Sequence, residues 1–444
     1  MPPQSNFKIA IIGAGPAGLT LASRLTASTH PFDFTVFELR DKPDPSQISV
    51  PCANLDLHQD LGLRAIKGCG LYSRFLQVES VCTEQTRILN MAGTVLSDTT
   101  GDGGRPEISR NALIQLLLES IPEERIRWGT KVLNVAPADC SRGKGKGCIR
   151  FTENANTATA STSEEPYDLI VGADGAWSRT RAAIPNAPKP IYSGVCYITM
   201  YFPISPERHP GLDKMIGGGT FAVCGDNKLL LAQRAVHNTV RVCLFLHSKC
   251  QAAVRKELLS STHNHNTGPD PLLSPDNLVT SLPSNPKKLQ ELLLTHDDFF
   301  ASWSEDIKRL LITALESQPT DATIITKPMY MLPLAPYPYA HQRGIALVGD
   351  AASLMTPFAG RGVNLAMVDS LDLAEELEHL QLAAAHSSGS TPAAIFADSL
   401  DEALSAYERT ACARAKEAME LTWRNLCFSY NENASDLFAE VMAS

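Results

Sequence analysis

An α/β protein with a second, separate β-sheet is what three features of this sequence predict. Three apolar runs each end in a glycine-containing turn that leads toward a helix. Residues 188–335 change to short β-rich runs, and the chain closes on a long helical run.

The first apolar run is Ile9-Ala10-Ile11-Ile12, of the kind a strand buried on both faces needs. Gly13-Ala14-Gly15-Pro16-Ala17-Gly18 then turns the chain into a helix. In such a turn Gly13 permits the tight bend, Gly15 lets a pyrophosphate approach the backbone, and Gly18 lets helix and strand pack closely. The free N–H groups and positive end of that helix face the phosphates. A second strand, Phe34-Thr35-Val36-Phe37, ends in Glu38, whose carboxylate can accept from both ribose hydroxyls of an adenosine and repels a 2′-phosphate. Strand, glycine turn, helix and terminal acid together mark a Rossmann-type dinucleotide site.

The composition narrows the partners. With 444 residues and 44% hydrophobic content the chain can bury a large core in two or three domains. A net charge of −9 argues against nucleic acid or an anionic membrane as the main partner. The basic stretch from Arg142 to Lys146 alternates with glycine and reads as a solvated turn. No apolar run reaches the length of a membrane span, and MPPQSNFK leads straight into a core strand without room for a signal peptide. Eleven scattered cysteines, none at C-x-x-C spacing, predict reduced structural thiols in a cytoplasmic protein, with no metal site and no disulfide framework.

After Glu38 come Leu39-Arg40 and a proline-broken loop to Pro51. Residues 54–77 carry helical apolar spacing interrupted by glycines and predict two short helices; strand-like pieces follow around 80–96. Ser109 or Asn111 caps an amphipathic helix, NALIQLLLESI, and residues 127–133 read as a strand. The polar stretch 138–166 predicts an exposed hairpin. Tyr167 to Arg179 holds the second apolar run, ending in Gly172-Ala173-Asp174-Gly175 with Ser178-Arg179 at a helix start.

Within 188–335, runs such as Tyr197 to Phe202, Leu229 to Leu231 and Val240 to Leu246 predict a separate sheet. The stretch 260–287 is dense in Ser, Asn, His, Thr and Pro, and its His263 and His265, lacking a third ligand, read as solvent-loop residues. Phe299 to Leu315 reads as a helix with Trp303 and Leu310 on its apolar face.

The third element runs from Gly344 to Asn364. A buried strand delivers Gly349-Asp350, and a loop with Pro357, Gly360 and Gly362 runs into a long helix, Val363 to Leu380. A carboxylate at the strand end can hold a ribityl or ribose hydroxyl, and the helix start offers N–H groups to an anionic ring. Helical runs from Asp401 to Cys427 and from Leu437 to Met442 close the chain.

These three elements, in this order, resemble the FAD-dependent aromatic hydroxylases typified by p-hydroxybenzoate hydroxylase. The resemblance covers nearly the whole chain. It implies a Rossmann-type FAD-binding domain over 1–187 and 336–395, a β-sheet substrate domain over 188–335, and a C-terminal helix, 396–444, bridging the two. It implies that Gly13, Gly15, Ala17, Gly18, Glu38 and Arg40 serve the ADP half of FAD. Asp174 lies in a segment tied to both FAD and NAD(P)H; Asp350 takes the ribityl or ribose region. Pro357, Gly360, Gly362, Val363 and Asn364 lie against the isoalloxazine, Arg110 contacts the cofactor, and Ala53 approaches it. Pro357, Phe358 and Ala359 form one pocket wall, with the sheet from 217 to 246 opposite.

Within that family Asn54-Leu55-Asp56-Leu57-His58, Glu107 to Asn111 and MTPFAGRGVN (355–364) look most like the tetracycline-inactivating flavin monooxygenases. The departures are Glu38-Leu39-Arg40 for the usual Glu-Arg pair, Cys52-Ala53 for paired glycines, no arginine near Ser49, and the insertion at 260–287. The implied chemistry is hydroxylation of an electron-rich aromatic or polycyclic phenol or enol by a flavin C4a-hydroperoxide, with O2 and transient NADPH or NADH as co-substrates. No residue declares itself a general base, so the catalytic side chains are unknown. A halogenase or reductase on the same scaffold is one alternative, although no W-x-W-x-I-P is present. A non-catalytic FAD-holding binding protein is the other.

Overall fold

A computed structural model describes residues 7–44, 46, 50–78, 82–137, 145–155, 157, 160–247, 282–335, 341–386, 392–430 and 434. The readings at Ser49, at 260–281 with His263 and His265, at 138–144 and at 437–442 fall outside them.

The nucleotide-binding half is a five-stranded parallel sheet. Its order is Ile345–Leu347, Leu169–Gly172, Lys8–Ile12, Asp33–Phe37 and Ile126–Arg127. Alternation along the first strand sets the layers. Ile9 and Ile11 face a core shared with the helices Pro16–Ala27, Arg110–Leu118 and Gly362–His386. Ala10 and Ile12 face a second core. There Phe37 meets Phe151 and Tyr167 from a three-stranded antiparallel sheet, Lys131–Ala136, Gly147–Glu153 and Ser161–Tyr167. The strand expected across 127–133 is interrupted at Gly129, whose φ of +63° ends one sheet and starts the next. Ser109 is the cap of its helix, accepting from the Ala112 N–H at 3.2 Å.

The second sheet has seven strands, in the order Lys327–Met331, Ile191–Pro203, Thr239–His247, Lys228–Ala235, Thr220–Gly225, Thr86–Leu89 and Val95–Thr99. The last two come from within the expected 1–187 domain. Thr86–Leu89 pairs in parallel with Thr220–Gly225, so the chain crosses between the two halves and back before residue 188. The back of this sheet packs against Pro286–Thr295 and Glu305–Glu316. Trp303, expected inside that second helix, sits in the turn before it, fully buried against Phe300.

The helix Pro392–Ser429 spans both halves. Tyr407 donates to the Leu347 carbonyl of the parallel sheet, while Leu426 packs with Cys224 and Phe245 of the seven-stranded one.

Candidate active site between the two sheets

The glycine turn has the geometry expected of it. A methyl group on Gly13 would lie 2.3 Å from the Ala173 carbonyl oxygen, and one on Gly18 would lie 2.0 Å from that of Gly13. Both positions are closed to any side chain. Gly15 differs, with nothing within 4 Å of that point, so the approach to the helix N-terminus is open. That terminus, which begins with Pro16, has no side-chain cap. Ala17 is buried and touches the third motif, since a methyl on Gly349 would reach its Cβ at 3.0 Å.

Glu38 is buried and accepts four hydrogen bonds. Oε2 takes the Ala14 N–H at 2.7 Å and Arg40 Nη2 at 3.2 Å; Oε1 takes the Arg40 N–H at 2.9 Å and its Nε at 2.8 Å. Burial opposes ionisation, but these donors outweigh it and hold the carboxyl below its usual range. A carboxylate offers about four acceptor positions, so a ribose hydroxyl reaches Glu38 by displacing an Arg40 contact. The Arg40 side chain is 66% exposed and free to yield.

Asp174 is drawn inward. It accepts the N–H groups of Arg179 and Thr180 and the hydroxyls of Ser178 and Thr180, which shapes the Gly175-to-Ser178 turn. Arg181 is buried and donates to the carbonyls of Ala176, Asp350 and Ala351, tying the second motif to the third.

Asp350 is the contrasting acid. It is open to solvent, yet enough protein surrounds it that burial raises its pKa, with Arg110 and Arg181 opposing the rise. No hydrogen bond to its carboxylate is made among the described residues. Arg110 is exposed within electrostatic reach of it, and its N–H is held by the Ala53 carbonyl at 2.9 Å.

The loop after Asp350 is fixed from two sides. Asn364, fully buried, accepts from the N–H groups of His58 and Gly62 and donates to the carbonyls of Asp56 and Gly360. Its side chain is therefore a clamp. The first helical hydrogen bond beyond it runs from the Leu365 N–H to the Arg361 carbonyl, so the N–H groups of Gly362, Val363 and Asn364 stand ahead of it. A methyl on Gly362 would meet nothing within 4 Å. From the long C-terminal helix, Thr422 donates to the Thr356 carbonyl at 2.6 Å and Asn425 to that of Phe358 at 3.0 Å. Pro357 and Gly360 are exposed and Phe358 and Ala359 half-buried, with the Phe358 ring 5.6 Å from Phe245 of the seven-stranded sheet.

Thr422, Asn425 and Arg414 carry no sequence motif; their helical spacing on one face was the available signal. Arg414 donates to Asp369, which is 1% exposed, and to Asp372. Glu107, opposite Asp56 in the ribbon Asn54–Asp56/Glu107–Ser109, was likewise missed. Burial pushes its carboxyl up to about 7; Cys82 opposes this by hydrogen bonding, and the nearby Asp56 and Glu84 charges add to it.

Two family models match this chain, a FAD binding domain over residues 305–390 and an NAD(P)-binding Rossmann-like domain over 11–74. The chain is 80% identical over 441 residues to monooxygenase asqM of Emericella nidulans, covering 99% of both proteins. It is 60% identical over 440 residues to monooxygenase penA of Penicillium thymicola, again covering 99% of both. The chain belongs to the FAD-dependent monooxygenases of the aromatic-hydroxylase type. Solved structures share this fold. A salicylate hydroxylase substrate complex matches with a TM-score of 0.68 at 17% identity, over 99% of this chain and 93% of that one. Klebsiella pneumoniae HpxO with FAD and uric acid matches with 0.66 at 16%, over 99% and 92%.

The residues present fit FAD. Gly15 and Gly362 leave open space at two helix N-termini, suited to phosphates and to the anionic edge of a flavin. Asp350 offers an exposed carboxylate between them in sequence, without a hydrogen bond among the described residues and within reach of the Arg110 charge. In this monooxygenase the side chains of Glu38, Asp174 and Asn364 are spent largely on shaping the cradle.

Proposed function

We propose that this monooxygenase consumes NAD(P)H and O2 to hydroxylate an electron-rich aromatic or polycyclic phenol or enol, of tetracycline-like or other polyketide type. The observation that carries the reading is the Phe358–Phe245 contact. It brings the loop ahead of the Gly362 helix start against an apolar part of the sheet, where a flat substrate and a flavin ring would meet.

When bound, FAD supplies the redox chemistry, taking electrons from NAD(P)H and passing an activated oxygen to the substrate. The chain supplies position and field. Gly13, Gly15, Ala17 and Gly18 would admit the ADP phosphates, and Asp350 would hold a ribityl or ribose hydroxyl. The N–H groups of Gly362, Val363 and Asn364 would stabilise negative charge on the ring. Pro357, Phe358 and Ala359 would close one side of the substrate pocket and exclude water from it. The division into an FAD domain (1–187 and 336–395), a substrate domain (188–335) and a bridging C-terminal helix (396–444) belongs to the same reading, with residues 86–99 contributed to the substrate sheet. A phenol or enol acidic enough to ionise reacts without a side-chain base, and none is assigned.

The test is NADPH oxidation by the FAD-loaded protein against tetracyclines and simpler polycyclic phenols, with mass spectrometry of the products. One oxygen gained in step with NADPH oxidised is the expected result. Bound FAD with no substrate-stimulated oxidation across the panel would overturn the proposal.

A further inference from the structure

We infer that Arg241 and Tyr201, at one end of the open face of the seven-stranded sheet, anchor an acidic oxygen of the substrate. That oxygen belongs to a phenolate, enolate or carboxylate on a flat apolar body. The inference rests on the function proposed above and names the part of the molecule this face holds.

Strand alternation separates the two faces. Ile198, Met200, Phe202, Val240, Val242 and Leu244 all point back and are buried under the helices Pro286–Thr295 and Glu305–Glu316. Tyr197, Thr199 and Tyr201 alternate with them and are only half-buried. They share the face that meets Phe358, because Tyr197 lies opposite Phe245, Thr199 opposite Cys243, and Tyr201 opposite Arg241. On the next strand the same three rows continue as Leu229, Leu231 and Gln233. The face therefore grades along the strands, from Tyr197, Phe245 and Leu229 at one end to Tyr201, Arg241 and Gln233 at the other.

The charge at the polar end has no acidic partner among the described residues. Two other arginines of this sheet have partners: Arg234 donates to Asp213 and Arg87 to Asp98. Arg241 forms no ion pair among the described residues, and its buried Nε has no hydrogen-bond partner. Its influence falls instead on neutral groups. Burial raises the pKa of the Tyr201 phenol and of the Cys243 thiol, and Arg241 opposes the rise in both. Cys52 also acts on Tyr201, which sets this end of the sheet beside the Cys52-Ala53 loop that holds Arg110. A half-buried guanidinium with no carboxylate beside it among the described residues favours an incoming anion. By the same attraction it lowers the pKa of a bound phenol or enol, consistent with a site that shows no general base.

The experiment is equilibrium binding to the holoenzyme, read from the perturbation of flavin absorbance, with 2-naphthol, 2-naphthoate and neutral 2-methoxynaphthalene. At least one acidic probe is expected to bind roughly tenfold or more tightly than the ether. Which acid wins distinguishes a phenolate from a carboxylate. Arg241→Gln is expected to abolish that preference while leaving ether binding within about twofold, Arg241→Lys to restore part of it, and Tyr201→Phe to weaken it less than Arg241→Gln. Retained FAD content and thermal stability show that the variants fold. No preference in the wild type, no binding of any probe, or an equal loss for acid and ether in Arg241→Gln would each overturn the inference. Failure of oxygen transfer with the binding preference intact would sink the proposed reaction and leave the anchor standing.

Discussion

In the parallel sheet, shape is imposed by backbone contact. A single methyl at Gly13 or Gly18 would overlap a carbonyl oxygen, and Gly349 sits against Ala17 and Ala366. In the seven-stranded sheet the strands are tied by register, and on the face toward Phe358 the side chains of Tyr197, Thr199, Tyr201, Leu231, Gln233 and Arg241 are only half-buried. One half is specified by what cannot be added, the other by what the exposed rows happen to carry. A scaffold divided this way tolerates little change at its glycine turn, while side chains on the face of the other sheet can be exchanged without a backbone clash.

The sharpest way to break that comparison is at two glycines two residues apart. Gly13→Ala places a Cβ 2.3 Å from the Ala173 oxygen at a φ of +107°, both forbidden. We expect it to cost about 4 kcal/mol or more and to yield little folded holoprotein. Gly15→Ala meets nothing in the protein and should leave the apoprotein within about 1 kcal/mol of wild type, while weakening FAD binding. Thermal unfolding with and without FAD measures both. Equal destabilisation of the two apoproteins would show that the turn is governed by something other than these contacts.

A smaller effect is expected where the long C-terminal helix crosses from one half to the other. Arg414 neutralises the buried Asp369, and Arg64 shares Asp372 and Glu375 on the same helix. Arg414→Met strands a buried carboxylate and should cost about 3–5 kcal/mol, whereas replacing the pair together, Arg414→Met with Asp369→Leu, should recover most of it. Denaturant midpoints for the single and double variants decide the matter. A double variant no better than the single would mean that Arg414 acts through packing.

Much of the cradle could be read from the chain because its signals are local. Gly13 to Gly18, the Ser109 cap and the strand ending at Gly349-Asp350 each lie within a few residues of the structure they specify. The Asp226-Asn227 hairpin turn, with φ of +46° and +60°, obeys the same kind of rule. Pairing of Thr86–Leu89 with Thr220–Gly225 has no local signal, which is why residues 86–99 were expected in the other half. Asn364 was expected at the cofactor, and only the folded chain shows its amide turned to His58, Gly62, Asp56 and Gly360. Thr422, Asn425 and Arg414 were expected only as part of a helical run, because their partners lie far away in sequence, at residues 356–372.

Glu107 stands between the two regions, on the ribbon where Asn54 donates to the Arg234 carbonyl of the larger sheet at 2.7 Å. One of its carboxylate oxygens is buried without a partner among the described residues. Below pH 4.5 the folded and unfolded chains both keep its proton, and the residue contributes nothing to pH dependence. Between 4.5 and about 7 the unfolded chain releases that proton while the folded chain retains it, so stability declines as pH rises. Above that window the full cost, roughly 3 kcal/mol, remains. Glu107→Gln removes the titration, so the variant should gain on wild type between pH 5 and pH 8, a difference that denaturant midpoints at the two values would measure. Parallel pH profiles for the two proteins would mean that the folded chain ionises Glu107 as easily as water does. The ribbon would then be wet, and the boundary between the two sheets would be a solvent channel rather than a packed seam.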